Sequence, residues 1–212
     1  MTKINILIIA VLVVFISGFY TMKTPRSQLA PVFGDKIDSL NGVVVYYNGQ
    51  VGTVKGRNRA KDGYNIGLKY QCVEFVKRYY YEYFKHKMPN SYGHAKSFFN
   101  TNLKDGRLNK DRNLIQYTNA SKSKPKANDL LVYEGTIFNR YGHVSIVSKV
   151  TKGKIEIIQQ NPGVLGKPRV EFDLKKENNT WKIENNQILG QVKDALVTFR
   201  YINALKQKNL NK

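Results

Sequence analysis

One cysteine stands in the 212-residue chain, Cys72, within the run GLKYQCVEFVKRYYYEYF. A thiol attacks as its thiolate, and the thiolate is favoured beside a cation or the positive end of a helix dipole. The residues before Cys72 read as loop and those after it as helix. The thiol therefore falls on a first helical turn, among N–H groups with no partner inside the helix. An inert buried cysteine is the plainer alternative; polar Gln71 and the loop-to-helix switch favour a working nucleophile. Such a nucleophile needs a base, and the chain holds three histidines. His86 follows a charged helix end and reads as a solvated surface residue. His94, in SYGHAKSFF, reads as a structural contact at a helix N-terminus. His143 opens a strand directly after Tyr141 and Gly142, with small neighbours that leave room for a substrate, and is the candidate general base. A base of this kind needs an acceptor on its second ring nitrogen. Gln159, Gln160 and Asn161 close the following strand, and alternation places Gln159 and Asn161 on one face with Gln160 on the other. Either Gln159 or Asn161 could orient the imidazole.

The elements that must position these groups follow from periodicity. Phe75 and Val76, Tyr79 and Tyr80, and Tyr83 and Phe84 recur every four residues and predict a helix from Cys72 with one apolar stripe. Glu74 in its first turn and Lys85, His86 and Lys87 near its end suit the helix dipole. Upstream, NGVVVYYNGQVGTV predicts a hairpin turning at Asn48-Gly49, and GRNRAKDGYNIGLKYQ reads as loop. Residues 94–103 predict a short helical piece, and residues 104–128 are polar and irregular. Strands are predicted over 129–135, 142–150, 154–161 and 195–202, the second and third joined by a tight Lys-Gly-Lys turn into an antiparallel pair. Helix-rich first, sheet-rich later, the pattern predicts an α+β fold with N-terminal helices on an antiparallel sheet. Residues 164–190 are expected to shape one side of a substrate groove, with Trp181 a core side chain.

Charge and the N-terminus narrow the setting. Lys and Arg number 35 against 15 Asp and Glu, a net charge of +20, which favours an anionic partner. No nucleic-acid-binding signature accompanies it, so no nucleic acid is expected. Residues 4–20 are apolar except Asn5 and Ser17, the length of a short membrane span or a long signal core. The predicted organisation is a membrane anchor or signal segment at 1–22, a linker at 23–36, a catalytic domain at 37–205 and a basic tail at 206–212. The expected location is the cell envelope, either anchored in the inner membrane or exported. There a lone cysteine has no internal disulfide partner. With no HExxH, no cysteine pair and three scattered histidines, neither metal nor cofactor is expected.

YQCVEFVKR, the DLLVY strand, YGHVSIV and IIQQN, in that order, resemble the CHAP family of cysteine, histidine-dependent amidohydrolases and peptidases across roughly residues 40 to 205. The YQCVEF version is most similar to the amidase domain of glutathionylspermidine synthetase/amidase and its bacterial relatives. The resemblance implies a papain-like α+β fold, with Cys72 as nucleophile at a helix N-terminus and His143 as base on the sheet. Many members carry Glu-x-Asn where this chain has Gln159-Gln160-Asn161, so a neutral amide stands where a carboxylate is common. Gln71 and the Cys72 backbone N–H are candidate oxyanion donors. The implied chemistry is acyl transfer through a Cys72 thioester, and many members cleave peptidoglycan. Alternative readings are an amidase for a small glutathionylspermidine-like amide, or a catalytically weak wall-binding protein held at the membrane by its N-terminus.

Overall fold

The computed structural model describes residues 30–194. The predicted N-terminal segment, the first half of the linker, the strand at 195–202 and the basic tail lie outside the described residues. Of two compact units, Met1–Val32 and Phe33–Lys212, the architecture below is that of the second.

One α-helix is formed among the described residues, α1 at Cys72–Phe84, with a single 3-10 turn at Ala95–Phe98. The other regular elements are strands, and the expectation of several N-terminal helices is not met. The second helical piece expected, residues 94–103, forms only that short 3-10 turn. Two hairpins precede the helix: β1 (Lys36–Leu40) with β2 (Val43–Tyr46), and β3 (Arg57–Arg59) with β4 (Asn65–Leu68). After it come β5 (Arg107–Asn109), β6 (Leu114–Thr118), β7 (Leu130–Tyr133), β8 (His143–Val150), β9 (Lys154–Ile158), β10 (Arg169–Glu177), β11 (Thr180–Ile183) and β12 (Ile188–Asp194). These form one antiparallel sheet in the order β11-β10-β9-β8-β7-β12-β6-β5.

The first hairpin turns at Asn41-Gly42 rather than at Asn48-Gly49. Asn41 (φ 48°) and Gly42 (φ 84°) both take positive φ, the signature of a tight turn whose twist matches its strands. Asn48 is instead buried. Its side-chain amide donates to the Gln50 and Thr53 carbonyls and its oxygen accepts the Tyr70 N–H. Residues 48–54 therefore wrap around one side chain as a loop. β3 and β4 replace the loop expected there, and β5 and β6 lie within the stretch that reads as irregular, because their polar sequences give no period-2 signal.

Helix α1 buries its stripe. Phe75, Val76, Tyr79 and Tyr80 pack with Val43 and Val45 of β2, Leu130 and Val132 of β7, and Val144 and Ile146 of β8. Each apolar side chain so buried contributes about 1.5–3 kcal/mol. Leu131, Tyr133, Val147, Ile155 and Ile157 point the other way, into a second cluster with Leu174 of β10 and Ile183 of β11. Strand β7 is buried on both faces, which is why LLVY reads as a continuous apolar run. Trp181 packs at the margin of that second cluster, between Lys124 and Lys176. Residues 169–190 thus build sheet, and only the start of the predicted groove segment lies near the site.

Candidate active site

Cys72 is the first residue of α1. Gln71 is its N-cap, with extended backbone and no side-chain capping bond, so the first-turn N–H groups stay open to the thiol. The sulfur meets the N–H groups of Val144, Val73 and Cys72 itself. Val144 follows His143 in β8, and that contact brings the start of α1 and the candidate base's strand together. All three N–H groups favour a thiolate, yet burial outweighs them and pushes the thiol up to about 11. The resting group is a neutral thiol, a correction to the expectation that the dipole alone would lower it.

His143 sits where Gly142 delivers it. Gly142 has φ 73°, and a Cβ there would lie 2.5 Å from the Tyr133 carbonyl oxygen and 3.0 Å from Lys96 Cβ, so only glycine fits this approach. The imidazole Nε2 lies 2.8 Å from Gln159 Oε1. The far side of that amide decides the proton's place. Gln159 Nε2 donates to the Lys167 carbonyl at 2.9 Å, so Oε1 faces the histidine and must accept. His143 therefore carries its proton on Nε2 and leaves Nδ1 free as a base. Burial holds the imidazole down at about 4, with the Gln159 hydrogen bond opposing it. Among the described residues no hydrogen bond joins the thiol to the imidazole. Both groups rest uncharged.

Three consecutive residues after β9 hold three different parts of the site, because the strand ends at Ile158 and Asn161 turns to φ 58°. Simple alternation therefore fails beyond the strand. Gln159 takes the base. Gln160, fully buried, donates to the Gln71 carbonyl at 3.1 Å and to Glu74 Oε2 at 2.8 Å, and accepts the Tyr46 N–H at 2.8 Å. Asn161 donates to Gln71 Oε1 at 2.6 Å and to the Val51 carbonyl at 2.9 Å. Asn161 thus braces the loop before Cys72 rather than the imidazole, and its own Oδ1 is buried without a partner.

Gln71 differs from its expected place as an oxyanion donor. Both its amide N–H bonds are committed, to the Thr53 carbonyl at 2.8 Å and the Val51 carbonyl at 3.1 Å. The open donors near the sulfur are backbone N–H groups. Beneath them Glu74 forms a buried ion pair with Arg78 at 2.7 Å and accepts from Asn58 at 2.8 Å. Glu74 reads from sequence as a dipole partner, while its link to Gln160 has no signal in local spacing.

The other histidines are structural. His86 is buried, not solvated, with Nε2 2.9 Å from the Arg112 carbonyl. His94 caps the 3-10 turn and lies against Tyr141, ring centroids 4.4 Å apart. Among the described residues no group of three or more His, Cys, Asp or Glu could hold a metal ion.

Over 106 residues, 50% of its length, the chain is 29% identical to a trypanothione synthetase of Crithidia fasciculata and spans 16% of that protein. The crystal structure of Ly7917 aligns over 46% of this chain and 40% of that one, at 18% identity and a TM-score of 0.27, a likeness too slight to define the fold. More specific is the stretch from the β3–β4 turn to the end of the 159–161 brace, which holds Gln71, Cys72, His143, Gln159 and Asn161: residues 61–161 match the family model of the CHAP domain.

Proposed function

We propose that the protein hydrolyses amide bonds of peptidoglycan through a Cys72 thioester, with His143 as general base and Gln159 as its orienting residue. A CHAP domain implies amidase or peptidase activity. The observation that carries the finer reading is the doubly held Gln159 amide, which leaves His143 Nδ1 unprotonated on the strand whose Val144 N–H meets the Cys72 sulfur. An α-helix presenting a thiol at its N-terminus against an antiparallel sheet also suits a papain-like arrangement.

From a neutral resting pair the steps follow in order. Nδ1 of His143 takes the thiol proton as the sulfur bonds to the amide carbonyl carbon. The negative charge developing on oxygen is met by the Cys72 backbone N–H, a preorganised donor. The imidazolium then protonates the departing amine, the C–N bond breaks, and an acyl thioester remains. Water, losing its proton to Nδ1, attacks the thioester and releases the acid and the free thiol. Gln159 cannot carry charge, so the imidazolium forms only transiently. The net charge of +20 suits an acidic wall polymer, and an envelope location with an N-terminal anchor or signal at residues 1–22 belongs to the same proposal.

The test is digestion of purified peptidoglycan by the full chain beside Cys72→Ala, with products read by mass spectrometry. New fragments that vanish in the variant support the reading, and their masses name the bond. A second reading is a small glutathionylspermidine-like amide as substrate, favoured by the similarity to trypanothione synthetase. Release of a polyamine from such a conjugate, with peptidoglycan untouched, would decide for it.

A further inference from the structure

Large apolar side chains stand fully in solvent at one end of the sheet. Ile137 is 92% exposed, Phe138 94% and Leu165 97%, with Val164 and Val51 also exposed. They belong to three loops that meet at the site. Residues 134–142 join β7 to β8, and residues 159–168 join β9 to β10. Because β8 and β9 are antiparallel neighbours, with Ile146 opposite Ile158, the start of one and the end of the other share an edge. The third loop, residues 48–54, is tied there by Asn161 and Gln71 through the Val51 carbonyl, and a Cβ on Gly163 would lie 3.5 Å from Val51.

Burial of such side chains would ordinarily be the cheaper state, and their gathering on loops at one end of the sheet marks a surface that meets a partner. Side chains exposed by more than nine tenths form no wall of a cleft. They project, as anchors into a fluid apolar phase do. Their charged neighbours are mostly basic: Lys55, Lys96, Arg140 and Lys167 are exposed on or beside these loops, against Glu134 and Asp35. Apolar tips within a basic collar complement a bilayer with anionic headgroups.

We propose that this end of the molecule is a membrane-docking face. Ile137, Phe138 and Leu165 enter the acyl boundary, and the basic collar lies at headgroup level. Docking in this way sets the His143 end of the sheet beside the bilayer. It is independent of the amide chemistry and of the apolar stretch at residues 4–20.

The test places a reporter on the loop itself. Phe138→Trp is made in the full chain and mixed with vesicles of brominated phosphatidylcholine, with or without phosphatidylglycerol. The parent, whose only tryptophan is Trp181, sets the baseline. The emission added by the new tryptophan is expected to fall by about half or more with anionic vesicles and to stay with zwitterionic ones. Lys55→Glu with Lys167→Glu in the same chain should abolish the quenching, and Cys72→Ala should leave it intact. Unquenched emission from protein that co-sediments with anionic vesicles would overturn the proposal, leaving residues 4–20 as the membrane contact. Emission that responds to soluble peptidoglycan fragments and not to anionic vesicles would overturn it too, and make the face a substrate surface.

Discussion

At Cys72 two effects of opposite sign meet on one sulfur. Backbone N–H groups at the helix start draw the thiolate out, and burial suppresses it, with burial the larger. With the thiol at about 11, alkylation by iodoacetamide in the free protein is expected to be slow at neutral pH and to rise about tenfold per pH unit towards the pKa. A fast reaction at pH 7, flat with pH, would contradict a neutral resting thiol. Slow labelling accordingly agrees with the proposed mechanism, in which His143 takes the thiol proton only with substrate in place. Gln159 gives a second test. Replacing it by Glu puts a carboxylate on His143 Nε2, favours the imidazolium and raises its pKa from about 4. The acidic limb of kcat/KM should move to higher pH by a unit or more, on the order of the shift a close carboxylate causes; an unmoved limb would remove Gln159 as the orienting residue. Stability carries the same sign in the parent. The unfolded chain takes up a proton on this histidine near about 6.5, and the folded one only near about 4. The contribution is whole above the higher value and is lost as pH falls through that window. Cys72 and His143 are legible as candidates from residue type and setting. Choosing Gln159 over Asn161 requires the Lys167 carbonyl, eight residues along a loop of no regular period.

At the scale of elements, α1 is held to the sheet by more than its apolar stripe. The Glu74–Arg78 pair is buried, and Glu74 also takes hydrogen bonds from Asn58 and Gln160. Removing one partner leaves a buried charge uncompensated, so Glu74→Ala should cost about 3–5 kcal/mol in equilibrium unfolding. A loss within about 0.5 kcal/mol, the range of an ordinary surface change, would show that the network is not holding the helix. The 3.6-residue stripe makes α1 readable from residue types alone. The hairpins are harder, because two Asn-Gly pairs compete and local propensity ranks them equally. Packing breaks the tie: Val43 and Val45 bury under α1 only when the chain turns at Asn41-Gly42, and Asn48 then serves as the post around which residues 48–54 wrap.

Across the whole molecule, 35 basic residues against 15 acidic ones set a long-range preference that no single contact supplies. Binding to an acidic wall polymer or an anionic vesicle should weaken steeply as salt rises from about 0.1 M to about 1 M, where the screening length shrinks from about 10 Å to about 3 Å. Binding by sedimentation that is indifferent to salt would assign the affinity to apolar contact instead. Composition and net charge are sums over residue types, the lone thiol, the amphipathic helix and the β7–β9 strands are properties of short stretches, and the sequence determined them alone. What only the tertiary structure decided lies between distant stretches: the strand order of the eight-stranded sheet, the Gln159 tether, the commitment of the Gln71 amide, and the balance that leaves Cys72 and His143 uncharged. Burial and hydrogen-bond partnership depend on which segments meet in space, and residue type and local period do not encode that meeting.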